Sequence, residues 1–290
     1  MATLKIIRKR ISSVKNTQKI TKAMKMVAAA KLRRAQTALY KARPYGRHLS
    51  RLLLKVSANV SRESHPFFNI PEQQQKSVNV VVISSDKGLC GGFNSNLLRK
   101  VHSYISLDLK HYSRVSLRVV GRKGRDFFRA KKVGIDQELA GLGEKPLYED
   151  ALKLAHEILE SYLRGEFSSL YLAFNSFKSA ISQEVQIRQI LPLELSQTES
   201  VETLSQDVIF EPSPDEMFSA LLPKALASEI YLAFLESQAS ELGARMSAME
   251  NATNNAKEMI GLLTLQYNRV RQAAITKELM DIVNGAESLK

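Results

Sequence analysis

Two long stretches, one near each end of the chain, repeat apolar or small residues at helical spacing. The first stripe consists of Leu4, Ile7, Ile11, Val14, Gln18, Thr21, Lys25, Ala28, Leu32, Ala35 and Leu39. Steps of three and four residues place these side chains on one face of a helix. Gln18, Thr21 and Lys25 are polar, so the middle of this stripe is apolar only in part. Pro44 and Gly46 predict a kink before the helix resumes.

The second stripe lies in the C-terminal quarter of the chain. It consists of Leu235, Ala239, Leu242, Met246, Met249, Thr253, Ala256, Ile260, Leu263, Tyr267, Val270 and Ala274. This alternating four-three spacing is typical of a coiled-coil seam. Ser213 is a predicted N-cap and Pro214 suits the first helical position. Beyond the seam, the apolar positions shift to Ile275, Leu279 and Ile282.

The middle of the chain alternates between predicted strands and helices. Strands are predicted at residues 78–83, 115–120, 170–174 and 185–191, and helices at 94–109 and 146–164. This order predicts a small, mostly parallel, Rossmann-like sheet. The fold class is therefore α/β: the terminal helices pair as a long antiparallel coiled coil, and the α/β domain is inserted between them. The predicted domains are residues 1–62, 76–195 and 213–286.

Charge is distributed very unevenly along the 290 residues. Residues 1–62 hold 17 Lys or Arg and no acidic residue, whereas the rest holds 25 basic and 29 acidic residues. Such asymmetry points to a polyanion, an anionic surface or an acidic protein partner. The single cysteine, Cys90, excludes an internal disulfide. No run approaches about 20 consecutive apolar residues, so we expect no membrane span.

The sequence offers no convincing catalytic, nucleotide-binding or metal site. The glycine-rich loop after the first strand lacks the Lys-Ser/Thr pair that follows the last glycine of a P-loop. We interpret it as a tight turn capped by Asn94, or as an interaction loop. Cys90 has no histidine in a recognisable partner motif, and we expect no cofactor. Gly121 to Gly124 reads as a basic surface turn.

One alternative is a basic coiled-coil protein that binds nucleic acid. The acid-free arm favours this function because phosphate backbones attract clustered Lys and Arg. However, residues 1–39 contain no aromatic side chain for base stacking, and the lysines lie on a heptad rod. A rod that faces acidic protein surfaces fits these residues better.

Three segments carry a resemblance to a known family. They read ISSVKNTQKITKAMKMVAAAK at 11–31, SDKGLCGGFN at 85–94 and YNRVRQAAITKEL at 267–279. In this order and at these chain ends they resemble the gamma subunits of F-type ATP synthases, over essentially the whole chain.

The resemblance implies a rotor shaft without catalytic residues of its own. In this family the coiled coil lies inside a ring of alpha and beta subunits, and the α/β domain docks epsilon and the membrane ring of c subunits. It implies one copy per complex, no nucleic acid, and a peripheral location at the cytoplasmic face of a bacterial inner membrane. Rotation of the shaft couples proton flow to ATP synthesis or hydrolysis on the beta subunits.

The resemblance also implies roles for particular residues. The expected shaft contacts with beta are Lys9, Lys19, Lys22, Met24, Lys25, Arg33, Arg34, Arg269, Arg271 and Gln272. Ile275, Leu279 and Ile282 are expected to form a bearing tip in an apolar sleeve. The expected interaction loop, toward beta or epsilon, consists of Asp86, Lys87, Gly88, Leu89, Cys90 and Gly91.

Overall fold

The computed structural model describes residues 2–60, 67–68, 77–139, 141, 145–192, 211 and 213–287. Its helices are α1 (Ala2–Ser57), α2 (Phe93–Leu107), α3 (Arg122–Ala130), α4 (Tyr148–Leu163) and α5 (Pro214–Glu287). Its strands are β1 (Ser77–Ile83), β2 (Arg114–Val120), β3 (Ile135–Leu139), β4 (Ser169–Phe177) and β5 (Gln183–Leu191). The chain forms two compact units: the coiled-coil unit, Met1–Ala29 with Arg245–Lys290, and the α/β unit, Ala30–Ala244.

The two predicted seams are confirmed, position by position. Every residue of both stripes, from Leu4 to Leu39 and from Leu235 to Ala274, is buried or half-buried. Helix α1 continues through Pro44 and α5 through Pro223. The N-terminus of α5 is capped as predicted, because the Ser213 hydroxyl accepts a hydrogen bond from the Glu216 amide at 3.3 Å.

In the α/β unit, α1 and α5 run antiparallel and approach closely. Arg43 pairs with Glu236 at 3.1 Å, and the Ser50 hydroxyl donates to Glu229 at 3.2 Å. The paired positions rise along α1 as they fall along α5, which defines the antiparallel direction. A side chain at Gly46 would collide with Leu232 of α5. The absent side chain therefore allows the close contact.

The sheet has the strand order β3-β2-β1-β4-β5. All neighbouring pairs are parallel except β4 and β5, which are antiparallel. One face is covered by a core to which α1, α4 and α5 contribute, with Leu53, Ile158 and Phe234 among its buried residues. The opposite face is covered by α2 and α3, with Leu97 and Phe128 buried there. Both faces are thus buried, as the continuous apolar run of β1 predicted.

Two elements were missing from the sequence-based prediction. Helix α3 buries only Gly124 and Phe128, and β3 is a five-residue edge strand with alternating exposure. The interpretation of residues 121–124 as a surface turn was wrong, because α3 begins at Arg122 and Gly124 is buried. Gly121 has φ +94°, and a side chain there would collide with the carbonyl of Ser84.

Helix α5 also contains an 18-residue window that is apolar enough, by length and composition, to cross a membrane. However, 56% of that window is buried inside the structure. The α/β unit itself buries many α5 side chains, including Phe218, Leu226, Ile230 and Phe234. A large part of the apolar surface of α5 is therefore used for packing within the protein.

An unusual group in the core is the guanidinium of Arg118 on β2. The residue is only 7% exposed, and its Nη2 donates to the Ser161 hydroxyl at 2.9 Å. Its Nε and Nη1 have no hydrogen-bond partner among the described residues. The guanidinium carbon lies 5.7 Å from the centre of the Phe167 ring. Burial lowers the pKa of Arg118, because the charged form loses its hydration.

We predict that Arg118→Met stabilises the protein. The substitution removes a buried, incompletely bonded charge, and we expect the free energy of unfolding to rise by about 1–3 kcal/mol. Denaturation should be followed by circular dichroism, since the chain has no tryptophan. Arg114→Met on the same strand is the matched control, because the Arg114 side chain is 71% exposed and should contribute little. A loss of stability in Arg118→Met would contradict this interpretation.

Candidate functional site

The seam of the coiled-coil unit contains a polar layer. The hydroxyls of Thr21 and Thr253 lie 2.8 Å apart, and the Lys25 ammonium pairs with Glu250 at 2.6 Å. Each threonine hydroxyl also lies near a carbonyl of its own helix, Thr21 near that of Gln18 and Thr253 near that of Met249. Since a hydroxyl has a single proton, one threonine donates across the seam while the other donates to its own helix. Because polar seam contacts are directional, they favour a single register of the two helices.

Next to the polar layer lies a basic surface. A shallow cavity of about 440 Å³ is lined by Gln18, Lys19, Lys22, Lys25, Met26, Glu250, Thr253 and Asn254. The cavity therefore brings together three of the lysines that were expected to contact beta. Lys19 and Lys22 are exposed, whereas Lys25 is half-buried and paired with Glu250. The lining carries three lysines and one glutamate, and this net positive charge suits an acidic partner.

Methionine exposure differs from what the sequence suggested. Met24 is half-buried, whereas its neighbour Met26 is 60% exposed and lines the cavity. Met26 was not among the predicted contact residues, although it lies between the stripe positions Lys25 and Ala28 and its side chain is therefore directed away from the seam.

The other selected cations lie outside the cavity. Lys9 on α1 and Arg269, Arg271 and Gln272 on α5 are exposed within the coiled-coil unit. Arg33 and Arg34 are exposed on the part of α1 that belongs to the α/β unit. All of these side chains are accessible to a partner.

The C-terminal end of α5 presents an apolar surface. Ile275, Leu279 and Ile282 are 53%, 59% and 71% exposed. Met280 and Val283 are exposed as well, although the sequence pattern did not predict either of them. Since the seam ends at Ala274, these side chains are not covered by α1. Exposed apolar side chains at such density indicate a binding surface.

The loop between β1 and α2 has one exposed apolar side chain at its tip. Leu89 is 66% exposed and has φ +63°, a left-handed conformation that is costly for leucine. Lys87 and Gly91 are exposed, whereas Cys90 is buried. Of the predicted loop residues, Leu89 is therefore the one that offers apolar contact area.

Asn94 holds this loop from one side. The predicted cap by Asn94 was wrong: α2 is capped at Gly92, with no side-chain hydrogen bond. Instead, the Asn94 amide nitrogen donates to Ser85 at 2.7 Å and to the Cys90 sulfur at 3.3 Å. Its carbonyl oxygen accepts from the Ser85 amide at 3.1 Å. Asn94 thus ties the two ends of the loop together.

Asp86 holds the loop from the other side. Its carboxylate accepts hydrogen bonds from the amides of Arg122 at 3.0 Å and Gly141 at 3.2 Å. The Arg122 Nε lies 3.6 Å from the same carboxylate, whose side chain is only 6% exposed. An anion at the first turn of α3 also interacts favourably with the helix dipole. Asp86 therefore positions the loop and is poorly accessible to a partner.

Across the described part of the chain, no group of three or more His, Cys, Asp or Glu side chains is placed to hold a metal ion. The geometry is that of a protein with several binding surfaces: a basic face, an apolar tip and a constrained loop.

Comparison with known proteins agrees with this geometry. A family model described as ATP synthase matches residues 3–289. The ATP synthase gamma chain of Anaeromyxobacter sp. (strain Fw109-5) is 49% identical, with full coverage of both chains. The gamma chain of Desulfitobacterium hafniense is 45% identical, again over both full lengths. The chain belongs to the ATP synthase gamma-chain family.

Gamma chains are non-catalytic subunits that form the central stalk, or rotor, of F-type ATP synthase. This assignment decides against the nucleic-acid-binding alternative. It also makes the chain part of a membrane-associated ATP synthase complex.

Solved structures show the same fold. One is a chain in the structure of the central stalk and c-ring of the Tetrahymena thermophila mitochondrial ATP synthase. It is 29% identical, with a TM-score of 0.61, and the match covers 80% of this chain and 99% of the Tetrahymena chain. A chain of the Euglena gracilis mitochondrial ATP synthase has 18% identity and a TM-score of 0.67, with coverage of 99% and 95%. The second likeness concerns the fold alone.

We predict that Asp86→Asn loosens the loop locally. The two amides that donate to Asp86 would bond to a neutral acceptor, which we expect to cost about 1–2 kcal/mol of local stability. Amide hydrogen exchange should then speed up about tenfold at Arg122 and Gly141. Asp126→Asn is the control, because Asp126 is exposed on α3, the helix that begins at Arg122. Unchanged exchange at both amides would show that Asp86 does not hold the loop.

Proposed function

We propose that this chain turns inside an alpha–beta hexamer and couples proton flow through the membrane c-ring to ATP synthesis or hydrolysis on beta. Epsilon is its further partner, and one copy acts per complex at the cytoplasmic face of a bacterial inner membrane. The observation that carries the proposal is the helix pair of the coiled-coil unit, with its exposed basic face and uncovered apolar end. The family assignment supports the same function.

The basic face suits contact with acidic segments of beta that must form and break repeatedly. Exposed ion pairs contribute only about 0–1 kcal/mol each, because water screens them. Lys9, Lys19 and Lys22 can therefore attract a partner without fixing the shaft in one position. Arg33 and Arg34 would act in the same way from the α/β unit. Lys25 contributes less, because Glu250 already neutralises part of its charge.

The apolar side chains near the cavity suit a sliding contact. Methionine is flexible and polarizable, so it adapts to changing neighbours at small energetic cost. The exposed Met26 lines the cavity together with Lys22, and the half-buried Met24 lies on another side of α1. We propose that both side chains touch beta as the shaft turns.

The end of α5 suits a bearing. Ile275, Leu279 and Ile282 present apolar surface without an internal partner, and an apolar sleeve at the top of the ring would cover it. Because apolar contact is non-directional, such a sleeve holds the axis without selecting a rotation angle. Below it, Arg269, Arg271 and Gln272 offer hydrogen-bond donors to a gripping loop of beta.

The loop of residues 86–91 suits a contact of fixed shape with beta or epsilon. Asp86 and Asn94 hold it from two sides, so Leu89 is presented without a large entropic cost on binding. The buried Cys90 contributes to the internal packing of the loop. Lys87, Gly88 and Gly91 lie beside Leu89 and complete the contact.

We predict that reversing the charge of the basic face lowers coupled ATP synthesis. In Lys19→Glu with Lys22→Glu, two exposed cations become repulsive toward acidic beta segments. We expect the rate of ATP synthesis in proteoliposomes under an imposed proton gradient to fall by about threefold or more. Raising the ionic strength should reduce the difference from wild type.

The matched control reverses two exposed lysines of the α/β unit, Lys110 and Lys131. It changes the net charge equally, so it separates a local contact from a general electrostatic effect. Equal rates in wild type and in the Lys19 and Lys22 variant would refute the acidic contact. A loss of equal size in the control would show that the effect does not depend on a contact at the basic face.

A further inference from the structure

A face of α5 contacts backbone atoms at the carboxyl ends of the strands. The Ser237 hydroxyl donates to the carbonyl of Ile83 at 3.4 Å, and the Ser240 hydroxyl donates to that of Asn175 at 3.0 Å. At Gly243, an added Cβ would lie 2.9 Å from the carbonyl oxygen of Ala180. These three α5 residues are spaced by three, and each meets a different segment of the sheet.

These contacts are made where the pairing between β1 and β4 has ended, although Ile83 still pairs with Val120 of β2 and Asn175 with Val185 of β5. The ladder between β1 and β4 ends at Val82 and Ala173, so Asn175 lies beyond it. Ser237 and Ser240 are 4% and 0% exposed. Buried carbonyls need a donor, and the α5 hydroxyls provide one. The serines therefore act as substitute strand partners.

The same contacts reach both ends of the loop that presents Leu89. Ile83 is the last residue of β1 before the loop. At the other end, the Asn175 side-chain amide donates to the carbonyl of Phe93, the first residue of α2, at 3.4 Å. The loop is thus fixed to α5 at its two ends through hydrogen bonds.

The backbone contacts differ in kind from the rest of the α5 interface. Phe218, Leu226 and Phe234 pack into the core, and such apolar contact resists separation but has little directional preference. Hydrogen bonds to a carbonyl and a glycine-to-backbone contact depend on angle and distance. They consequently fix the position of the sheet along and around the α5 axis.

We propose that Ser237, Ser240 and Gly243 form a torque seat. They are positioning residues through which the turning moment passes between α5 and the α/β domain. All three lie in the last two turns of α5 within the unit Ala30–Ala244. The seat rests on the proposed rotor function, and it assigns the transfer of torque to named contacts.

The test compares torsional stiffness in assembled complexes. The alpha–beta ring is fixed to a surface, and a bead is attached through Leu107→Cys and Leu163→Cys, which lie on exposed ends of α2 and α4. Angular fluctuation of the bead in the stalled complex measures stiffness. In Ser237→Ala with Ser240→Ala, we expect stiffness to fall about twofold, because two directional bonds are lost.

Ser219→Ala is the matched control, since Ser219 is exposed on α5 in the same unit. ATP hydrolysis by the detached soluble complex should be unchanged in all variants, because no load acts on the α/β domain there. Gly243→Leu provides a second variant: its side chain must displace the segment around Ala180, so stiffness should fall further.

If both the Ser237→Ala, Ser240→Ala double variant and Gly243→Leu had the same torsional stiffness as Ser219→Ala, the proposal that these residues transmit torque would be refuted. A fall in hydrolysis that matches the fall in stiffness would also overturn it, because it would indicate general destabilisation. If the wild-type bead does not rotate with ATP at all, the rotor function fails as well. The two failures are thus distinguishable.

Discussion

The structure depends on the packing of α1 against α5 along complementary seams. Neither helix can bury its stripe alone, and the pairing covers apolar or small residues of both from Leu4 to Leu39 and from Leu235 to Ala274. In the α/β unit the seam is apolar, with Leu32, Ala35 and Leu39 buried. In the coiled-coil unit it includes the Thr21–Thr253 pair and the Lys25–Glu250 ion pair. Polar seam contacts contribute little net stability, but they select one register.

This pairing also determines how the rest of the chain can fold. An antiparallel pair of terminal helices leaves the intervening residues to form a domain whose sheet is covered on both faces. The carboxyl ends of its strands carry the loop that presents Leu89. Asp86 and Asn94 constrain that loop from either side, while α5 contacts the strand ends through Ser237 and Ser240. Hydrogen bonds therefore constrain both the loop and the strand ends.

Local periodicity predicted the seams residue by residue, because the heptad spacing depends only on helix geometry. It also predicted the buried strands β1, β2 and β4, whose apolar runs are long. Helix α3 was not predicted because it is mostly charged and buries only Gly124 and Phe128. Asn94 was misassigned because its side chain serves the loop rather than the helix terminus. The burial of Arg118 could not be predicted, since its environment comes from α4 and the segment after it.

The residue types at the candidate surfaces could be predicted from the sequence, but the ion pairs that these residues form within the chain could not. A run of lysines on one helix predicts a basic face, and their exposure follows from the position of the stripe. The ion pair between Lys25 and Glu250 joins residues 225 positions apart, and predicting it would require the register of α1 against α5. The exposed apolar end of α5 was foreseen at Ile275, Leu279 and Ile282. Met280 and Val283 were missed because they lie off the stripe that was followed.

In the proposed rotor, the two helices of the coiled-coil unit act as one rigid body during rotation. Thr21→Cys with Thr253→Cys tests it directly, because the native hydroxyls lie 2.8 Å apart and two sulfurs can bond across the same seam. An added oxidant such as diamide would form the disulfide. We predict that the cross-linked complex keeps its rates of rotation and ATP hydrolysis. If oxidation stopped rotation and a reductant restored it, α1 and α5 would have to move past each other, and the pair could not act as one rigid body.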